Sequence, residues 1–153
     1  MKRITIKKYA VPLRYVPPSL TQRDTKKQKN YIDRSRKAYR RGVYYLRPKV
    51  ASFKSRKSSH MKRATELYGV PNMQPSAALA RATKCKRWAL EKIINKGRGA
   101  YYSSGSRPNQ TPDSWGYARL ASAITGGPAS KVDYHILNDG CSPGSTALRL
   151  AIH

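Results

Sequence analysis

The sequence predicts a mainly α-helical protein: a small C-terminal multi-helix domain containing a helix-turn-helix-like unit, preceded by an extended basic arm with one longer helix. Three observations predict it. Helix capping and stop residues recur along the chain. The basic charge is lopsided: residues 1–69 hold 21 Lys and Arg against Asp24, Asp33 and Glu66, a net +18, while residues 70–153 hold 11 against Glu91, Asp113, Asp133 and Asp139, a net +7. Apolar helix faces show the reverse bias, sparse before Gly69 and regular from Ser76 onward. The division follows: a Tyr/Arg/Lys-rich arm over 1–69 with a helix near 20–41, and a compact helical domain over 70–153.

Element by element, "RITIKKY" alternates Ile4 and Ile6 with polar neighbours and reads as a short strand. Pro12, Pro17 and Pro18 then hold the chain extended. "SLTQRDTKKQKNYIDRSRKAYRRG" reads as a helix with Ser19 as N-cap and Gly42 as stop. Its few apolar residues give it little to bury by itself. "VYYLRPKVASFKSRKS" is extended around Pro48, and Ser58 or Ser59 caps a short helix with Met61, Ala64 and Leu67 that ends at Gly69. Further helices are expected near 76–83, 86–96, 112–125 and 129–138. Gly97 is read as the left-handed stop of the second of these.

"SAALARATKCKRWALEKIINKG" has helix-turn-helix spacing, with Cys85 in the turn and Lys86 and Arg87 opening the second helix. Lys84 stands where such turns usually carry glycine. The nucleic-acid candidates are Lys84, Lys86 and Arg87; the competing reading is two helices packed for stability alone. "GRGAYYSSGSRPNQTPDSWGYARLASAITGG" is glycine-rich but lacks a GK[ST] or a G-x-G-x-x-G after a strand, so packing is favoured over phosphate cradling. Arg107, Asp113, Trp115 and Arg119 are expected to form a structural network there.

Seven carboxylates are scattered with no acid/base spacing, and His135 near Asp133 and Cys141 matches no ligand pattern. No catalytic residue, metal site or cofactor is assigned. Cys85 and Cys141 are expected as free thiols of a reducing compartment. No apolar run approaches the roughly 18 residues of a membrane span, and no signal peptide is expected. Seven tyrosines are interleaved with the bases before Gly69, a composition found at interfaces and not in disordered tails. Arg34, Arg40, Arg41, Tyr44, Tyr45, Arg47, Lys49, Lys54 and Arg56 are therefore the partner-binding candidates.

The blocks "RSRKAYRRGVYYLRPKVASFKSRKSSHMKRATELYG" and "KGRGAYYSSGSRPNQTPDSWGYARLASAITGG", followed by "VDYHIL", resemble an uncharacterised protein family of large DNA viruses of algae and protists, chlorella viruses and relatives of mimivirus among them. The similarity spans Tyr15 to Leu137. It carries no catalytic or binding residues over. It implies a viral origin and a place in the virion. The expected role is a minor capsid protein on the inner shell face of a large icosahedral virion, assembled in the host cytoplasm, its arm bound to neighbouring capsid proteins. The alternative is a nucleic-acid-binding protein for genome condensation or regulation. Non-specific nucleic acid or another anionic surface is the further partner expected from the charge.

Overall fold

A computed structural model describes residues 2–152. Its elements are β1 (Arg3–Ile6), β2 (Tyr9–Pro12), a 3-10 turn (Leu13–Tyr15), α1 (Gln22–Arg40), α2 (Ser59–Tyr68), α3 (Ala77–Thr83), α4 (Arg87–Ser103), α5 (Pro112–Ile124), α6 (Pro128–Val132), α7 (Tyr134–Gly140) and α8 (Thr146–Ile152). The protein is mainly helical, as its sequence predicts. It divides into two compact units, one made of residues 1–56 with 99–112, the other of 57–98 with 113–153. The dividing points thus fall at 56, 98 and 112 instead of 69.

In the first unit the expected strand is half of an antiparallel hairpin, with Arg3 opposite Pro12 and Ile6 opposite Tyr9. Lys7 takes a positive φ of 54° in the two-residue turn. Ile6 and Val11 point into a small core with Tyr15, Val16, Leu20, Ile32, Ala38, Val50 and Tyr101. Helix α1 begins two residues later than Ser19 suggests. Leu20 N–H closes a turn onto Pro17 O at 3.2 Å, so the backbone is not yet helical, and Thr21 Oγ1 accepts the N–H of Asp24 at 3.1 Å. The residues that α1 buries are Asp24, Gln28, Ile32, Asp33, Ser35 and Ala38, mostly polar. That explains how a helix so poor in apolar residues finds a core: the side chains of Asp24, Gln28, Asp33 and Ser35 are hydrogen-bonded or ion-paired. Gln28 Nε2 donates to Tyr15 O at 3.1 Å, and Ser52 donates to Asp24 Oδ2 from its N–H at 2.8 Å and its Oγ at 2.5 Å. The extended segment after α1 is held by Asn109, whose side chain accepts from Val50 N–H at 2.7 Å and donates back to Val50 O at 3.2 Å.

The second unit has a conventional apolar core built from Leu79, Leu90, Ile93, Ile94, Leu120, Ile124, Ile136 and Leu137 among others. Ser58 caps α2 and Gly69 ends it in the left-handed region. Leu67 lies exposed; Ala64 is the buried residue of that helix. The expected stop at Gly97 does not occur, and α4 continues to Ser103. Gly97 serves close packing instead: a Cβ there would lie 2.6 Å from Gly116 Cα of α5. The helix expected over 129–138 is two short ones, broken at Asp133, and α8 has no counterpart in the sequence reading.

The cysteines also depart from expectation. Cys85 and Cys141 form an isolated antiparallel bridge flanked by Lys86 N–H to Gly140 O at 2.8 Å and Ser142 N–H to Lys84 O at 2.9 Å. That register brings facing side chains together, and the two sulfurs are joined as a disulfide. The separation of 56 residues carries no motif, which is why spacing alone suggested free thiols. In the chain-entropy account a loop of this length is worth about 4 kcal/mol to the folded state.

Candidate anion-binding surface

The first unit concentrates positive charge. It contains 19 Lys and Arg against two carboxylates, Asp24 and Asp33, a formal +17. Both carboxylates are already engaged. Asp24 accepts the two bonds from Ser52, which hold its carboxyl below the usual value, the side-chain bond first and the backbone bond second. Asp33 faces Lys37 at 3.1 Å, one turn along α1, and Lys7 at 3.6 Å. Arg40, Arg41, Lys49, Lys54 and Arg56 are exposed, and none has a carboxylate within ion-pair distance among the described residues. They present charge outward.

Arg34 lies over the Tyr45 ring at 5.6 Å and its Nη1 donates to the phenol oxygen at 3.4 Å. Arg36 stacks on Tyr9 at 4.0 Å. Burial raises the Tyr9 phenol, with the Arg36 charge pulling the other way. These pairs use aromatic faces to seat guanidinium groups where acids are scarce.

Arg47 is the exception among the expected partner-binding residues: it is 9% exposed and faces inward. Its Nη1 donates to Ser35 Oγ at 2.9 Å and to Tyr101 O at 2.6 Å, and its Nη2 to Ser106 Oγ at 2.6 Å. The guanidinium sits 3.7 Å from the Tyr101 ring centroid, and the Arg47 backbone N–H donates to the Tyr101 phenol oxygen at 2.9 Å. Pro48 keeps this stretch extended, so Arg47 enters the core where the last turn of α4 passes. Burial lowers its pKa, yet three neutral oxygens and a π face replace its lost water. Arg47 is a tie between α1, the 43–56 segment and the 99–112 segment, and not a contact for a partner.

Above this tie lies a tyrosine cluster. Tyr44 is 68% exposed and Tyr39 38%. The Tyr44 ring centroid is 5.0 Å from that of Tyr102 and 6.2 Å from that of Tyr39, while Tyr39 and Tyr102 lie parallel at 6.4 Å. Ser35 Oγ donates to Tyr102 O at 3.2 Å, and Tyr101 meets Tyr102 edge-on at 5.2 Å. Val43 and Leu46 are exposed on either side of the Tyr44–Tyr45 pair in sequence. Tyr44 was legible as a surface residue; Tyr39 and Tyr102 were not, because nothing in the sequence brings residues 39 and 102 together.

The other expected sites resolve differently. Lys84, Lys86 and Arg87 are exposed in the second unit. Lys84 adopts the left-handed conformation usually given to glycine, with φ 57°. Arg87 Nε is spent on Pro75 O at 2.8 Å. Of the residues expected as a structural network, Arg107, Asp113, Trp115 and Arg119, two make ion pairs with guanidinium or carboxylate partners from other parts of the chain. Asp113 takes Arg98 Nε at 2.7 Å, one helix over, and Arg107 is exposed in the first unit. Arg119 forks onto the fully buried carboxylate of Asp133 at 2.7 and 2.8 Å, with Lys96 at 3.9 Å. The helix break at Asp133 aims that carboxylate inward, a feature no local pattern announces. His135 is exposed and Cys141 is disulfide-bonded. Among the described residues no three His, Cys, Asp or Glu gather to hold a metal, and no helix is long and apolar enough to cross a membrane.

No curated protein and no solved structure matches the chain. A family model does, over residues 12–135, which take in β2's last residue through the start of α7 and leave Cys141 and α8 outside. With both the tyrosine-topped basic surface and most of the apolar core inside that match, the chain belongs to the family of unknown function DUF5824.

Proposed function

We propose that this protein binds nucleic acid, and that the first unit supplies the phosphate contacts. The observation that carries this reading is the outward charge of that unit: its two carboxylates are engaged internally, so Arg40, Arg41, Lys49, Lys54 and Arg56 present positive charge without acidic relief. Such a surface is stabilised by a polyanion that releases condensed counterions on binding. The test is anisotropy titration of labelled DNA across a salt series. Affinity should fall by about 10³–10⁵ between 50 and 200 mM salt if six to ten phosphates are engaged. Replacing Arg40 and Arg41 with alanine should lower the slope of log K against log salt by about 1 for each phosphate that is no longer neutralised. Binding that ignores salt, or none at low salt, refutes the proposal.

In the second unit, the α3–α4 pair with Lys84, Lys86 and Arg87 is read as a helix-turn-helix-like corner that touches phosphate without selecting bases, Arg87 being tied to Pro75. Recovery of a defined duplex site from a random pool, abolished by Lys86→Ala with Arg87→Ala, would replace this with sequence-specific regulation.

A second reading places the protein on the inner face of a viral shell, bound to capsid proteins. The exposed run Val43, Tyr44 and Leu46 favours it, since protein interfaces cover apolar and aromatic edges of this kind. Comparing shell and core fractions of purified virions by mass spectrometry separates the two.

A further inference from the structure

The tyrosine cluster raises a question that charge does not answer. Phosphate contact needs cations only, and a chain optimised for folding covers its large apolar rings. Here Tyr44 stands mostly in solvent, and Tyr39 and Tyr102 flank it within 6.2 Å. The cluster is not a loose tail. Tyr39 sits on the last turns of α1, Tyr102 on the end of α4, and the Arg47–Tyr101–Ser106 tie lies beneath. Arg40 and Arg41 follow Tyr39 directly, so aromatic faces and outward cations occupy one end of α1.

We infer that Tyr39, Tyr44 and Tyr102 form a stacking platform for unpaired bases, so that the nucleic acid held by the first unit is single-stranded. This rests on the nucleic-acid reading above and sharpens its substrate class. The physical ground is what each ligand exposes. A duplex hides its base faces in the stack and offers the rings only sugar and phosphate. A single strand can lay bases on tyrosine while the neighbouring arginines track its backbone, the combination that sequence-tolerant single-strand binders use. The cations provide the charge complementarity; the exposed rings provide the preference. An acidic peptide satisfies the arginines equally but gains little from three phenol faces.

The experiment compares three labelled ligands of equal phosphate count at one salt concentration: an oligothymidylate, the same strand with abasic sugars, and a short duplex. The full chain is used, with an acidic peptide as competitor. The oligothymidylate should bind more tightly than either other strand. Tyr44→Ala should weaken it by about 5- to 150-fold, the range for losing one base–aromatic stack, and leave the abasic strand unchanged. Because Tyr44 is exposed, the variant should fold; an unchanged circular dichroism melt checks this, and Tyr44→Phe should restore binding. Equal affinity for the thymidylate and abasic strands overturns the platform while leaving phosphate binding intact. A tighter duplex, or an acidic peptide that displaces the strand more effectively than free oligothymidylate does, also overturns it. Failure of every strand to bind removes the nucleic-acid reading and this one together.

Discussion

Replacing Gly97 with alanine and, separately, Gly99 with alanine should shift stability in opposite directions, although the two lie two residues apart in α4. Each substitution gains the same helix propensity, about 1 kcal/mol relative to glycine. What the new methyl meets differs. At Gly97 it would stand 2.6 Å from Gly116 Cα, 3.2 Å from Gly116 N and 3.2 Å from Trp115 O. All three atoms are backbone, so no side-chain rotation relieves the clash. Ordinary contact begins at 3.4 Å, so α4 and α5 must part by about 0.8 Å, and interiors this closely packed resist such a gap. Overpacking costs about 1–3 kcal/mol, more when backbone must move, so the net loss should be about 1–2 kcal/mol. At Gly99 nothing lies within 4 Å, and alanine should stabilise by about 0.5–1 kcal/mol. Gly116→Ala is the reciprocal check, because its methyl would meet Ile94 O at 2.6 Å and Ile94 Cγ2 at 2.9 Å. Urea unfolding followed by far-UV circular dichroism reads all three, and tryptophan fluorescence reads the second unit, which holds both Trp88 and Trp115. A Gly97→Ala protein stabilised as much as Gly99→Ala would mean that the two helices do not touch there, and the packing account of this glycine would fail.

Arg47→Met keeps the aliphatic stem but removes the donors to Tyr101 O, Ser35 Oγ and Ser106 Oγ; stranding the Tyr101 carbonyl alone costs about 1–3 kcal/mol. The urea midpoint should drop while the folded protein keeps its affinity for DNA, and the reverse pattern would return Arg47 to the binding surface. Tyr68 supplies a pH test: burial raises its phenol above the ordinary value, opposed by Arg149, and the hydroxyl donates to Ile124 O. A folded-state value above the unfolded value of about 10 means that the stabilisation is complete below pH 10 and is lost as pH climbs through the folded value. Urea midpoints across that alkaline range should fall in the wild type and fall less in Tyr68→Phe, which should lose about 1 kcal/mol near neutrality with its hydrogen bond. Identical alkaline slopes in the two proteins would show that another group controls the transition.

What the sequence made legible is local, and what it hid is long-range. Ser58, Ser76, Gly69 and Gly42 mark helix ends because a cap or stop acts within one turn. Gly97 carries the same letter as a stop yet serves a contact with Gly116, nineteen positions on in sequence, and no window along the chain distinguishes the two uses. The arm looked too poor in apolar residues to fold because its interior is partly polar. Gln28, Ser35 and Arg47 replace hydrophobic burial with bonds to Tyr15, Tyr101 and Tyr102, and the last two lie more than fifty residues away from them in sequence. The charged surface was visible from composition. The tyrosine platform was half visible: Tyr44 could be read from its neighbours, but its partner Tyr102 comes from a glycine-rich stretch that looked purely structural.

The bond between Cys85 and Cys141 closes a covalent ring around everything from α4 to α7, including the 104–111 connection and the segment that carries Tyr101 and Tyr102. A protease that cuts this connection once opens the ring without releasing a piece. On a denaturing gel the nicked protein would run as one molecule until a thiol is added, and only then separate into two fragments. An ordinary check of integrity without reductant would therefore pass a sample whose chain is already broken beside its tyrosine cluster.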